Sequence, residues 1–381
     1  MSFSYRKSRR YELELKGYIG DNVQKFPIFS AYRLVNLTDN AGNLSRKRIR
    51  QFVELIDQLL SIVFLYPIFL YEVIKLIRLF RELNPDVLHI NNGGYPGARS
   101  ARSAACAGKI CGIRNILMTV NNVTVPYNRL SRIAEYPVDF FVRKSVTKFV
   151  TASEYASSSI RVVLNIPLDR ATIIENAVRA PEIVREYPYN REILGCNSEH
   201  VVICVTATLE SRKGHEILLD ALAKILFKKP YLRDVVKLWI IGDGPLWADL
   251  NETVQSFGLQ DNVQFLGYRY DYLSLMSEID IFVLTSVSSE DSPLSTIEAM
   301  SLGIPIIASN LAGLSNQIVH GLNGFLFPVG DVHKLAYYME RLVVDKSLRN
   351  SMGLSAKDQY TKRYSSEVFV LNYEKLYSNK L

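Results

Sequence analysis

The stretch Ser289-Glu290-Asp291-Ser292-Pro293-Leu294-Ser295-Thr296-Ile297-Glu298-Ala299-Met300-Ser301-Leu302-Gly303-Ile304-Pro305 joins two short β-branched runs, residues 279–284 and 304–308. A strand, a polar loop, a helical stretch near 293–302 and a second strand make a βαβ unit, and such units build parallel sheets covered by helices. Pro293 suits a first helical position and Ser292 an N-cap, so the free N–H groups of that turn point back into the loop and favour an anion. Glu298 stands one turn after Leu294 and one before Leu302, on a largely apolar stripe. A part-buried carboxylate there needs hydroxyl or N–H partners. Taken alone, Glu290 also reads as a solvated loop residue and Glu298 as the partner of a neighbouring Lys or Arg.

Outward from this unit the same alternation recurs from Asp86 onward. A first series sets strands at 87–91, 116–121, 148–151 and 172–174, with helices near 97–112, 129–145 and 153–165. A second sets strands at 201–206, 237–242, 263–266, 279–284 and 304–308, with helices near 214–228, 245–257, 270–277, 293–302 and 331–343. Residues 177–198 carry Pro181, Pro188 and mixed charge without a period, the composition of a linker. Residues 360–381 read as one or two closing helices. Residues 1–60 disclose no opening strand followed by a Gly-rich loop and helix.

With 381 residues, 48% of them hydrophobic and 22% charged, the chain can bury large cores, and disorder is excluded. The length favours two domains. The four cysteines form no CxxC pair and the five histidines no ligand spacing, which weighs against structural zinc and a disulfide framework. The apolar run 59–71 contains Ser61 and Pro67, falls short of the ~20 residues that span a bilayer, and reads as a buried or interfacial helix. No apolar segment follows the basic start MSFSYRKSRR, so no signal peptide and a cytoplasmic setting are expected.

Charge divides unevenly. Residues 1–150 hold 23 Lys and Arg against 11 Asp and Glu, a balance of +12, whereas residues 151–381 hold 22 against 27, or −5. A basic half suits nucleic acid, an anionic membrane or an acidic substrate. No RNP, zinc-finger or basic-zipper pattern favours nucleic acid.

Three further loops carry candidate chemistry. In Thr208-Leu209-Glu210-Ser211-Arg212-Lys213-Gly214-His215 two cations precede a helix, an arrangement the macrodipole disfavours unless an anion lies between, and a phosphate resolves the conflict. The alternative is two exposed, screened side chains. Gly242-Asp243-Gly244-Pro245 is explained by a tight turn alone. In His89-Ile90-Asn91-Asn92-Gly93-Gly94-Tyr95-Pro96-Gly97 the glycines either admit a ligand to the backbone or make the turn, and His89 reads equally as a satisfied core histidine.

Taken in order, these residues resemble glycosyltransferase family 4, retaining nucleotide-sugar transferases of the GT-B fold. The E-x7-E element of that family is matched by Glu290 and Glu298, followed by Ala299-Met300 and Gly303-Ile304-Pro305. Arg212-Lys213-Gly214, Gly242-Asp243-Gly244-Pro245, Phe265-Leu266-Gly267, Ala312-Gly313, Asn323-Gly324-Phe325 and Gly330-Asp331 support it. The resemblance implies an α/β protein with two Rossmann-like doubly wound parallel-sheet domains facing across a cleft. Residues 1–180 would form the acceptor-side domain, 181–360 the nucleotide-sugar domain, and 361–381 a helix packing back on the first.

By the same resemblance Glu290 contacts donor-sugar hydroxyls, Glu298 the ribose, and Arg212 and Lys213 the diphosphate. Ser292, Leu294, Ser295, Gly242 and Gly244 complete the donor site, and His89, Asn91, Gly93, Gly94 and Asn121 belong to the acceptor side. Several positions depart from the family pattern. Thr208 stands in Ala207-Thr208-Leu209 where Gly-Arg-Leu is common, which leaves the phosphate to Arg212 and Lys213. Asn121 replaces a common histidine and cannot exchange protons. Asp291 and Ala177 each replace a common Gly, and Asn316 a common Glu.

The expected activity is transfer of a sugar from a UDP- or GDP-sugar to a saccharide or lipid-linked acceptor in surface polysaccharide biosynthesis. The chain has no Asp-x-Asp, so neither metal nor cofactor is expected. Peripheral docking on the inner face of an anionic membrane is expected from the basic first half, and no nucleic acid. A nucleotide-sugar epimerase or phosphorylase of the same fold, or a non-catalytic nucleotide-sugar-binding module, are the alternatives.

Overall fold

A computed structural model describes residues 2–6, 24–28, 62–181, 191–288 and 290–378. Its contacts group into two compact units. One comprises Met1–Thr119, Val125–Phe149 and Val163–Ile166, and the other Val120–Thr124, Val150–Val162 and Pro167–Leu381. Most of the region 1–60, Ser289 and part of the expected linker lie outside the described residues.

A strand stands near the start of the chain, where the sequence discloses none. β1 (Ser2–Arg6) pairs in parallel with β2 (Gln24–Ile28), Ser2 opposite Gln24 and Arg6 opposite Ile28. Phe3 and Tyr5 alternate with serines over too short a span to register as a period, and Pro27 breaks the strand pattern of β2. The apolar run 59–71 belongs in part to a longer helix, α1 (Leu65–Leu83), which ends on Asn84 in the left-handed region, φ 41°, with its N–H on the Phe80 carbonyl. Leu65, Val73, Leu76 and Phe80 are buried, as is Glu72, whose carboxylate accepts from the Ser103 hydroxyl at 2.9 Å.

β3 (Val87–Asn92), α2 (Arg99–Ile110) and β4 (Asn115–Val120) follow. α1 packs on α2. The single helix expected over 129–145 is two: α3 (Leu130–Ala134) and α4 (Tyr136–Ser145). Pro137 accounts for the break, since a ring without an N–H belongs in a first helical turn. β5 (Lys148–Thr151), α5 (Glu154–Leu164) and β6 (Ala171–Ile173) complete a sheet ordered β3-β4-β5-β6.

The second sheet holds β7 (Val201–Thr206), β8 (Val236–Ile241), β9 (Val263–Gly267), β10 (Ile281–Leu284), β11 (Ile306–Ser309) and β12 (Gly324–Phe327). Its order is β12-β11-β10-β7-β8-β9, and its paired strands are parallel. The helices are α6 (His215–Lys228), α7 (Trp247–Ser256), α8 (Tyr272–Met276), α9 (Leu294–Ser301), α10 (Leu314–Gln317), α11 (Val332–Val344), α12 (Lys346–Gln359) and α13 (Ser366–Ser378). Successive residues of β7 serve opposite cores: Val201, Ile203 and Val205 pack with α6 and α11, Val202 and Cys204 with α9 and α12. A strand covered on both faces reads as an unbroken apolar run, which is why VVICV shows no alternation.

Candidate nucleotide-sugar site

In the second sheet the chain progresses outward from β7 in one direction as β8 and β9, and in the other as β10, β11 and β12. Loops leaving the carboxyl ends of β7 and β10 therefore diverge, and a doubly wound sheet binds ligands at such a switch point. Arg212 and Lys213 follow β7, and Glu290 follows β10.

The backbone locks these loops together. A 3-10 turn over Ser211–Lys213 ends on Gly214, φ 64°, which caps α6. A Cβ on Gly214 would lie 2.2 Å from the Thr285 carbonyl oxygen, so only glycine allows the approach. The Thr285 hydroxyl donates to the Lys213 carbonyl at 2.9 Å, and the Val287 N–H to the Arg212 carbonyl at 2.8 Å. Gly242 and Gly244 serve the same loop from β8: a Cβ would stand 2.0 Å from the Ala207 oxygen and 2.6 Å from the Leu209 oxygen. Their need is close backbone approach and not merely a turn. α7 accordingly starts at Trp247, two residues beyond Pro245.

Glu290 is buried, and its Oε1 is the hub of the site. It accepts from Arg212 Nη1 at 3.1 Å, from the Ser286 hydroxyl at 3.1 Å and from Lys213 Nζ. Arg212 Nε donates in addition to Glu210 Oε2 at 2.9 Å. The Lys213 side chain is 12% exposed and that of Arg212 38%, so solvent screens the arginine more. The anion that the two cations require ahead of α6 is thus supplied by a carboxylate of this chain.

α9 begins one residue later than expected. Pro293, φ −65° and ψ 134°, is extended and takes the N-cap position, with Leu294 the first helical residue. Ser292 does not cap the helix: its hydroxyl accepts from Gln317 Nε2 at 3.0 Å and its carbonyl from Asn176 Nδ2 at 2.9 Å. Leu294 is exposed and Ser295 half-buried, on a first turn whose N–H groups lack intrahelical partners. Glu298 is half-buried, and the hydroxyl partner it needs is Tyr272, 2.8 Å from Oε1. Burial lifts its carboxyl above the usual range, opposed by that hydrogen bond.

Two titratable groups beside the site gave no functional signal in the sequence. Asp291 is buried, its Oδ1 accepts from the Ser153 hydroxyl, and its Oδ2 has no partner among the described residues. Burial raises its carboxyl pKa. His215 opens α6 with neither ring nitrogen partnered among the described residues. Burial foremost, and Lys213 next, push its imidazole down to about 4.

In the first unit, His89 and Asn91 lie on β3, and Gly93 and Gly94 open the loop that follows it. His89 is not a core residue: it is exposed, with Nε2 2.7 Å from Thr119 Oγ1. Asn91 and Gly93 are also exposed. Below them Asn92 braces the turn, its Nδ2 on the Pro96 carbonyl at 3.2 Å and its Oδ1 accepting the Ala98 N–H at 3.0 Å. Buried Tyr95 donates to Asp139 at 2.8 Å. Asn121 groups with the second unit, in the segment Val120–Thr124.

The architecture, parallel α/β sheets with charged loops at a switch point, is GT-B. The crystal structure of HepE from Anabaena in complex with UDP superposes at TM-score 0.73, with 19% identity over 99% of this chain and 92% of that one. Residues 187–359 match the family described as Glycosyl transferases group 1, a stretch that contains Arg212, Lys213, Glu290 and Glu298. N-acetyl-alpha-D-glucosaminyl L-malate synthase of Bacillus anthracis is 29% identical over 184 residues, 48% of this chain and 46% of that protein. UDP-Gal:alpha-D-GlcNAc-diphosphoundecaprenol alpha-1,3-galactosyltransferase of Escherichia coli is 23% identical over 294 residues, 76% of this chain and 74% of that one. The match to the Bacillus synthase thus spans about half that relative's length, 46%.

Proposed function

We propose that the protein is a retaining glycosyltransferase that moves a sugar from a UDP- or GDP-sugar to a saccharide or lipid-linked acceptor in surface polysaccharide biosynthesis. The observation that carries this reading is the sharing of Glu290 by Arg212 and Lys213 at the switch point. A diphosphate that reaches the two cations displaces the carboxylate, which then turns to the hydroxyls of the attached sugar. As the glycosidic bond to the diphosphate breaks, charge grows on the leaving oxygens, and preorganised cations beside the first turn of α9 stabilise it. Glu298, held by Tyr272, suits ribose hydroxyls. The UDP bound by the Anabaena protein favours a uridine nucleotide, and the substrate in the Escherichia coli enzyme's name favours a lipid-linked acceptor.

The test is a panel of UDP- and GDP-sugars screened for thermal stabilisation, followed by NMR of the product formed with acceptor. Transfer with retained anomeric configuration supports the reading. Epimerised donor without transfer, or binding without turnover, selects one of the alternatives.

A further inference from the structure

α1 carries two apolar surfaces. One is buried against the first unit through Leu65, Val73, Leu76 and Phe80. The other faces outward, where a helix that meets only water is polar. There Leu70 is 57% exposed, Tyr71 56% and Ile74 55%, with Val63, Phe64 and Tyr66 also exposed. Pro67, Leu70 and Ile74 follow the i, i+3, i+4 spacing of one stripe of α1, Val63 and Phe64 stand just ahead of its start, and the next positions along the stripe are Arg78 and Arg81, beside Lys75. The outward stripe is therefore apolar over its first half and cationic over its second.

The patch continues onto α3. The Tyr66 hydroxyl donates to the Ala134 carbonyl at 2.7 Å, which sets the start of α1 beside Ile133 and Leu130. Leu130 is 81% exposed, and Arg129 next to it is exposed as well. Lys75, Arg78, Arg81 and Arg129 form no ion pair with a described residue, and Glu82 is the one exposed acid on α1. Single exposed apolar residues are ordinary, but a contiguous set bordered by unpaired cations marks a contact surface.

We propose that this face docks the protein on an anionic lipid bilayer. Charge complementarity selects that occupant. A second copy on a two-fold axis would bring the same cations against one another, and a nucleic acid would leave the leucines, isoleucines and Phe64 unused. Anionic phospholipid takes both halves of the stripe, acyl boundary for Phe64, Leu70, Ile74 and Leu130, phosphate for the cations. No helix among the described residues is long and apolar enough to cross a membrane, so the contact is a surface seat. The inference deepens the lipid-linked acceptor reading, but its readout is binding and not turnover.

The experiment is co-sedimentation of the full chain with phosphatidylcholine vesicles and with vesicles of three parts phosphatidylcholine to one part phosphatidylglycerol, at low and high salt. Binding to the anionic vesicles that is lost at high salt is expected, weakened roughly fivefold per cation in Lys75→Ala and Arg78→Ala and lost in Leu70→Glu with Ile74→Glu. Unchanged thermal stabilisation by donor in these variants separates lost docking from lost folding or a failed donor site. Equal partitioning to both vesicles, no binding to anionic vesicles at low salt, or a dimer in solution that Leu70→Glu dissociates would overturn the proposal.

Discussion

Arg212 reaches from the loop after β7 to Glu290 on the loop after β10, with Nη1 3.1 Å from Oε1. Lys213 donates to the same oxygen. One buried carboxylate oxygen thus satisfies two cations 77 and 78 residues away in the chain. Each of the three charges is stable there only while the others remain, unless a ligand takes their place.

Lys213→Ala is expected to lower kcat/KM by roughly 10²–10³, the scale of losing one preorganised charge at a leaving group. Arg212→Ala should cost less, since its guanidinium is shared with Glu210 and partly solvated. Steady-state kinetics on the donor checks the order. Wild-type turnover in both variants would remove the cations from the phosphate role.

Glu298→Gln should raise the nucleotide Kd by up to about tenfold, the size of a charge-assisted hydrogen bond. Because burial raises the Glu298 pKa, the carboxylate proposed to accept ribose hydroxyls accumulates only as pH rises through that elevated value, and affinity should rise with it. Tyr272→Phe removes the hydrogen bond that favours ionisation, so the rise should move to higher pH. Calorimetric titrations across pH 4–8 with both variants read the shift. A large fall in kcat with unchanged nucleotide affinity in Glu298→Gln would assign Glu298 to the chemistry instead.

His215 ties stability to pH. Its folded pKa, about 4, lies below the ordinary value of 6.5, so the unfolded chain binds the proton first and stability falls as pH drops from 6.5 toward 4. The full loss is about 3 kcal/mol. Other groups also titrate in this window, and the difference between wild type and His215→Leu isolates the imidazole: thermal melts of the variant should lose part of the acid dependence. Parallel curves would place His215 in a hydrated or partnered environment.

Transfer should persist in EDTA, because on the proposed reading Arg212, Lys213 and the first turn of α9 supply the charge that a metal would otherwise bring. Activity abolished by chelation and restored by Mg²⁺ or Mn²⁺ would contradict this.

Legibility in the sequence followed the range of the interactions. The bounds of β7 are legible to the residue, because a doubly covered strand is a local apolar run bounded by polar residues. β12 and α12 are not legible in the sequence, since Gly324-Phe325-Leu326-Phe327 is short and the stretch from Lys346 carries weak apolar periodicity. At the site, the need of Glu298 for a hydroxyl followed from its stripe, but Tyr272 lies 26 residues upstream, and no local pattern names it. The two cations announced an anion, and that Glu290 answers depends on the crossover of the sheet. Local sequence misplaces the N-cap at Ser292, whose hydroxyl is taken by Gln317, a partner 25 residues downstream.

On the proposed reading, Arg212 and Lys213 exchange Glu290 for the diphosphate of the donor. Calorimetric titration of the nucleoside diphosphate selected by the donor screen, into wild type and Glu290→Gln, tests it most directly. If the carboxylate competes with the diphosphate, the variant binds the nucleotide roughly 3–10-fold tighter, as one exposed-to-buried charge pair is removed from the competition. Unchanged or weaker binding by Glu290→Gln would contradict the exchange.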